Sequence, residues 1–122
     1  MKSLLVVAHG SRREESNREV RELVGQLRAL ENRYERIDCA FLELAEPSIP
    51  DGLRALIAAG CEDVVVLPYF LSAGRHVAAD IPGEIDSVRA EHPAVSIRLA
   101  PYLGAAPGIP ELLRSQADAA GD

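Results

Sequence analysis

The 122-residue sequence is 48% hydrophobic and 26% charged, which fits one globular domain able to bury a core and excludes a disordered or fibrous chain. Its net charge of -6 excludes a nucleic-acid binder that works through a broad basic face, although a few clustered arginines can still hold an anion. Cys39 and Cys61 form no CxxC, so neither a zinc knuckle nor a disulfide scaffold is indicated and packed, reduced thiols are expected.

The first predicted strand, Leu4 to Ala8, is apolar throughout, and its flanks read neither as a signal peptide nor as a membrane span; the cytoplasm is therefore the expected compartment. A helix follows. Val20, Leu23, Val24, Leu27 and Leu30 recur at helical spacing, giving one buried stripe, and its start fits a capping box at either Ser11 with Glu14 or Ser16 with Glu19. The second strand, Ile37 to Leu42, is mixed in character and suits a sheet edge. The second helix opens near Pro50, packs through Leu53, Leu56 and Ile57, and stops at Gly60. The third strand, Val64 to Leu67, is again continuously apolar, as expected for a central strand covered on both faces. A third helix runs through Ile81, Ile85 and Val88 to Pro93, with Pro82 tolerable in its first turn. The fourth strand alternates Val95, Ile97 and Leu99 with Ser96 and Arg98, the pattern of an edge. The last helix begins near Pro110, carries Leu112 and Leu113, and is expected to fray in "QADAAGD".

Strands alternating with helices over residues 1–122 predict a single α/β domain: a small doubly wound parallel sheet of four strands in the order 2-1-3-4. In such sheets ligands bind at the carboxyl ends of the strands, beside the point where the winding reverses. The residues there are "HGSRR" after the first strand, "LELAEPS" after the second and "PYFLSAGRHVAAD" after the third. His9 and His76 thus fall on one edge of the sheet. A single histidine after a strand more often bonds a loop carbonyl, but two on the same edge point to a metal or proton-transfer site. Glu43, directly at a strand end, is expected in the crevice, whereas Glu46 precedes Pro47 and faces water. His92, at a helix end, is set aside as a surface residue. Tyr69, Phe70 and Tyr102 can line an apolar slot, and Arg12, Arg13 and Arg75 suit carboxylates.

"LLVVAHGSR", the glutamate of "FLELAEPSI" and above all "VVVLPYFLSAGRHVAADIP" resemble the CbiX family of sirohydrochlorin chelatases, which insert a divalent metal into a tetrapyrrole. The resemblance runs from Leu4 to about Leu113. It implies a chelatase-like fold, with His9 and His76 as the metal-binding and catalytic pair and Glu43 as their acidic partner. Arg12, Arg13, Tyr69, Phe70, Ser72, Ala73, Gly74 and Arg75 would then meet the substrate. Long members carry two lobes in one chain, so a one-lobed sequence resembles the short form that works as a homodimer. No tightly bound cofactor is implied; the metal is a substrate. Cobalt, leading to cobalamin, is the first expectation, with iron (siroheme) and nickel (the methanogen cofactor) as alternatives that the same imidazoles accept. Two readings of other classes stand beside it: a non-catalytic metal carrier using the same histidines, and a phosphohistidine enzyme with His9 as nucleophile. The second fits poorly, because an alanine and not an arginine precedes His9.

Overall fold

The computed structural model describes residues 1–121. Its four strands, β1 (Lys2–Ala8), β2 (Arg36–Phe41), β3 (Asp63–Pro68) and β4 (Ser96–Leu99), form one parallel sheet in the order β2-β1-β3-β4, as the sequence predicts. Helices α1 (Glu14–Ala29), α2 (Ile49–Ala58), α3 (Ile81–Glu91) and α4 (Ile109–Asp118) follow the strands in turn. No helix among the described residues is long and apolar enough to cross a membrane.

Period-two alternation sends the side chains of each strand to opposite faces. Leu5 and Val7 of β1, Val64 and Val66 of β3 and Ile97 of β4 point toward α2 and α3, where they pack with Ile49, Leu53, Leu56, Ile81, Ile85 and Val88. Nearly all of these are fully buried, and each large aliphatic side chain withdrawn from water contributes about 1.5–3 kcal/mol. The other face, Leu4, Val6 and Ile37, is covered by α1 through Val24 and Leu27.

Four expectations need correction. Neither capping box forms: Arg13 precedes α1 without a side-chain cap, because Ser11 belongs to the loop, its Oγ accepting the Arg13 N–H at 3.0 Å. Leu30 lies beyond the end of α1 and is exposed, and the stripe is extended instead at its other end by buried Asn17. β3 is covered fully on one face only; Val65 and Leu67 are half-buried because α1 lies over β1 and β2 and, among the described residues, no helix closes over β3 on that side. Finally, α4 stays helical to Asp118, well into the stretch expected to fray; it buries none of its side chains, and Leu112 and Leu113 are exposed. Asp122, the last residue of that stretch, lies outside the described residues.

A single arginine ties α2 to α3. Arg54 donates from Nε and Nη2 to the two carboxylate oxygens of Glu91 at 3.0 and 2.8 Å, and from Nη1 to Asp51 at 3.1 Å. The two hydrogen bonds to Glu91 hold its carboxyl below the usual carboxylate range. A carboxyl whose folded-state pKa is depressed stabilises the fold above its unfolded pKa and loses that contribution as pH falls through the folded value. Arg54→Met is therefore expected to lower the thermal midpoint modestly at neutral pH, the pair being exposed, and the difference from wild type should vanish in acid. Midpoints of both proteins across an acid titration check this.

Candidate metal-handling site

The end of β1 explains how His9 meets Glu43. Parallel pairing does not stop at the last strand residue: the Leu42 N–H donates to the Ala8 carbonyl at 2.9 Å and the Glu43 N–H to the His9 carbonyl at 3.0 Å. The two loops leave the sheet side by side. Gly10 makes this possible, with φ at +92° and so little room that a Cβ there would lie 1.8 Å from the Glu43 carbonyl oxygen. Leu44, immediately after Glu43, adopts φ of +65°, a left-handed conformation costing a branched residue about 1–2 kcal/mol. Such strain is tolerated where the surroundings dictate it, often beside functional sites.

His76 reaches the same place from α3. Residues His76–Asp80 form one turn of π-helix, closed by the Ile81 N–H donating to the His76 carbonyl and continuous with α3, whose Ile81, Ile85 and Val88 are locked in the core. The ring centroids of His9 and His76 lie 4.9 Å apart, edge to face at 63°. His9 Nε2 is 3.2 Å from Glu43 Oε1, and its Nδ1 is 3.0 Å from the Gly10 carbonyl oxygen. With Nδ1–H donating to that carbonyl, Nε2 and the carboxylate are two acceptors facing each other. Only a positive charge between them, a proton or a metal ion, makes that contact favourable. His76 Nδ1 is 2.7 Å from Asp80 Oδ2.

Two hollows flank the imidazole pair. The larger, about 650 Å³, is lined by Leu42, Glu43, His76, Asp80, Glu84 and Ser87, with three carboxylates and no lysine or arginine. The smaller, about 240 Å³, touches His9, Gly10, Ser11, Asn17, Val20 and Tyr69. Among the described residues no group of three or more His, Cys, Asp or Glu side chains is arranged to hold a metal ion as a cage. What the site offers is an open imidazole pair with a carboxylate against each ring, Glu43 on His9 and Asp80 on His76.

The structure thus brings His9, His76 and Glu43 together and leaves Glu46 and His92 apart. Glu46 is exposed, with only its carbonyl near Arg21; His92 caps the far end of α3, 4.0 Å from Glu91. Arg12, Arg13, Ser72, Ala73, Gly74 and Arg75 are exposed on the surrounding loops and line neither hollow. Phe70 is half-buried and packs against the core beneath the third loop, while Tyr69 is 40% exposed at the rim. Tyr102 is half-buried at the head of a 3-10 turn, Leu103–Ala105, that holds the third loop: the Gly104 N–H donates to the Phe70 carbonyl at 3.0 Å.

Sequence reasoning passed over two supports. Asn17, 3% exposed, accepts the Ser11 N–H on Oδ1 at 3.0 Å and donates from Nδ2 to the Ser11 carbonyl at 2.8 Å, pinning the loop that carries His9 to α1. An asparagine one turn before Val20, on the apolar stripe, was its only signal. Asp80 is the second, legible only as a carboxylate four positions after a candidate histidine.

The family model described as CbiX matches residues 3–120. The chain is 38% identical to a chloroplastic sirohydrochlorin ferrochelatase of Arabidopsis thaliana over 83% of its own length and 44% of the relative. It is also 38% identical to a sirohydrochlorin cobaltochelatase of Methanococcus maripaludis, over 67% of its length and 56% of the relative. It spans about half the length of these curated relatives. A crystal structure of a CbiX cobalamin-biosynthesis protein from Marinobacter aquaeolei superposes with a TM-score of 0.83 at 31% identity, covering 98% of this chain and 97% of the other. With the family model matched from the first strand to the end of the last helix, and both histidine motifs in place on the predicted sheet edge, the chain belongs to the CbiX family.

Proposed function

We propose that this chain is a sirohydrochlorin cobaltochelatase, inserting Co2+ into the macrocycle with release of two pyrrole protons. The observation that carries the reading is the meeting of His9, His76 and Glu43 at the carboxyl end of the two central strands, with the imidazoles 4.9 Å apart. Neutral imidazoles suit borderline divalent ions, and a pair of them leaves coordination positions for the ring nitrogens to take over. A tighter cage would retain the ion. His9 Nε2, already beside the Glu43 carboxylate, is the position from which a pyrrole proton is accepted and relayed outward.

The carboxylate-rich substrate does not suit the larger hollow, whose three acidic side chains would repel it. It suits the exposed loops above, where Arg12, Arg13 and Arg75 can clamp its rim carboxylates, Tyr69 offers apolar contact with Phe70 packed beneath, and Ser72, Ala73 and Gly74 present backbone without bulk. Those loops make one wall. A second copy of the chain, facing the first, supplies the opposite wall, ligand sites of this size often lying between two lobes. The proposed form of the protein is a cytoplasmic homodimer.

Mixing the protein with sirohydrochlorin and, separately, Co2+, Ni2+ or Fe2+ tests the proposal through the change in macrocycle absorbance. Insertion above the uncatalysed rate, fastest with cobalt, is expected. Faster insertion of iron would reassign the metal, as the name of the plant relative suggests; metal binding with an unchanged macrocycle spectrum would reduce the protein to a carrier.

A further inference from the structure

The two imidazoles are backed by different acceptors, and this difference assigns them different tasks. His9 Nδ1 faces a neutral backbone carbonyl, Gly10 O at 3.0 Å, while His76 Nδ1 faces a carboxylate, Asp80 Oδ2 at 2.7 Å. We propose that Asp80 is a positioning residue that fixes His76 as the Nδ1–H tautomer and makes its Nε2 the stronger metal-holding nitrogen of the pair. The inference rests on the chelatase reading for its consequence in turnover, but not for its effect on tautomer or on metal affinity.

An ionised carboxylate only accepts, so the proton shared between Asp80 and His76 sits on Nδ1 and the lone pair of the ring is at Nε2. A negative charge behind the ring also raises the electron density at Nε2, the usual way in which an outer carboxylate strengthens and orients a ligating imidazole. A neutral carbonyl behind His9 does this less. His76 thus holds the ion, and the His9–Glu43 pair receives protons.

Asp80 is committed to this contact. Asp38, Asp51, Asp63 and Asp86 each pair with an arginine, whereas among the described residues no lysine or arginine meets Asp80. Both partners lie on the same π-helical turn, and the residue after Asp80, Ile81, is fully buried, so the contact is anchored through the backbone to the core. Glu84, the other acidic residue on that side, lines the larger hollow one turn further along α3 without touching either ring.

The test compares wild type with Asp80→Asn and Asp80→Ala. Asparagine keeps a neutral acceptor for Nδ1–H, so it separates orientation from charge. Long-range 1H–15N spectra of the metal-free proteins should show His76 as Nδ1–H in wild type and Asp80→Asn, and a mixture with Nε2–H in Asp80→Ala. Co2+ affinity, titrated without macrocycle, should fall about 10–100-fold in Asp80→Ala and by less in Asp80→Asn. In turnover the change should be carried by KM for Co2+, since the proton-receiving pair is untouched. Asp80 is half-exposed, and unchanged far-UV dichroism confirms that the variants fold. An unaltered His76 tautomer together with unaltered Co2+ affinity in Asp80→Ala would overturn the proposal. If wild type binds Co2+ yet catalyses no insertion, the chelatase reading fails alone, and the tautomer and affinity data still decide the role of Asp80.

Discussion

His76→Ala and His9→Ala are each expected to lower cobalt insertion by at least about 10²-fold, the lower end of what a positioned proton-transferring or ligating group supplies, while leaving the sheet intact. The two losses should differ in kind. His76 is the ring backed by Asp80 and the one proposed to hold the ion, so on its removal Co2+ binding measured without macrocycle should weaken with turnover. His9 faces Glu43 through Nε2 at 3.2 Å, so its removal should spare more of the Co2+ affinity and depress the maximal rate. Neither ring is part of the hydrophobic core: both side chains are nearly half-exposed, and the packed residues beneath them belong to β1 and α3. Thermal midpoints close to wild type are therefore expected, which separates loss of chemistry from loss of fold. Retained turnover in both variants would remove the imidazole pair from the mechanism and the chelatase proposal with it.

The order of the sheet was legible because burial writes itself into composition. Leu4 to Ala8, with no polar residue, belongs only in the middle of a covered sheet, and the alternation around Ile97 belongs at an edge; both are found there. From that order the meeting of His9 with His76 follows, since the carboxyl ends of adjacent parallel strands are neighbours. What sequence could not convey is how many layers actually close. Val65 and Leu67 look as apolar as Val64 and Val66, yet are only half-buried, because coverage depends on where α4 lies and Leu112 and Leu113 do not say what they pack on. The π-turn was illegible for another reason: five residues, "HVAAD", contain too little pattern to distinguish a wider turn from a loop, although that turn sets His76 above the crevice. The position of Glu43 at a strand end is legible, but the positive φ of Leu44 beside it is announced by no side-chain preference.

Gly10→Ala should be among the most damaging single-methyl changes available in this chain. At φ of +92° an alanine suffers the left-handed penalty of about 1–2 kcal/mol before any contact is counted. The added Cβ would also fall 1.8 Å from the Glu43 carbonyl oxygen and 2.9 Å from its carbonyl carbon, backbone atoms that cannot swing aside as a side chain would. Relief requires the loops after β1 and β2 to separate, at a further cost of about 1–3 kcal/mol by analogy with overpacked cores. Separation acts directly on the site. It stretches the hydrogen bond from the Glu43 N–H to the His9 carbonyl, now 3.0 Å, and draws Glu43 Oε1 away from His9 Nε2. It also moves the Gly10 carbonyl on which His9 Nδ1 rests. Turnover should therefore fall steeply even in preparations that remain folded, with the midpoint lowered as well. Gly74→Ala is the control for stability alone, because that glycine has no atom within 4 Å of an added Cβ and no positive φ. Equal stability of the Gly10→Ala and Gly74→Ala proteins would show that the two loops are not clamped as described, and the pairing of His9 with Glu43 would lose its structural basis.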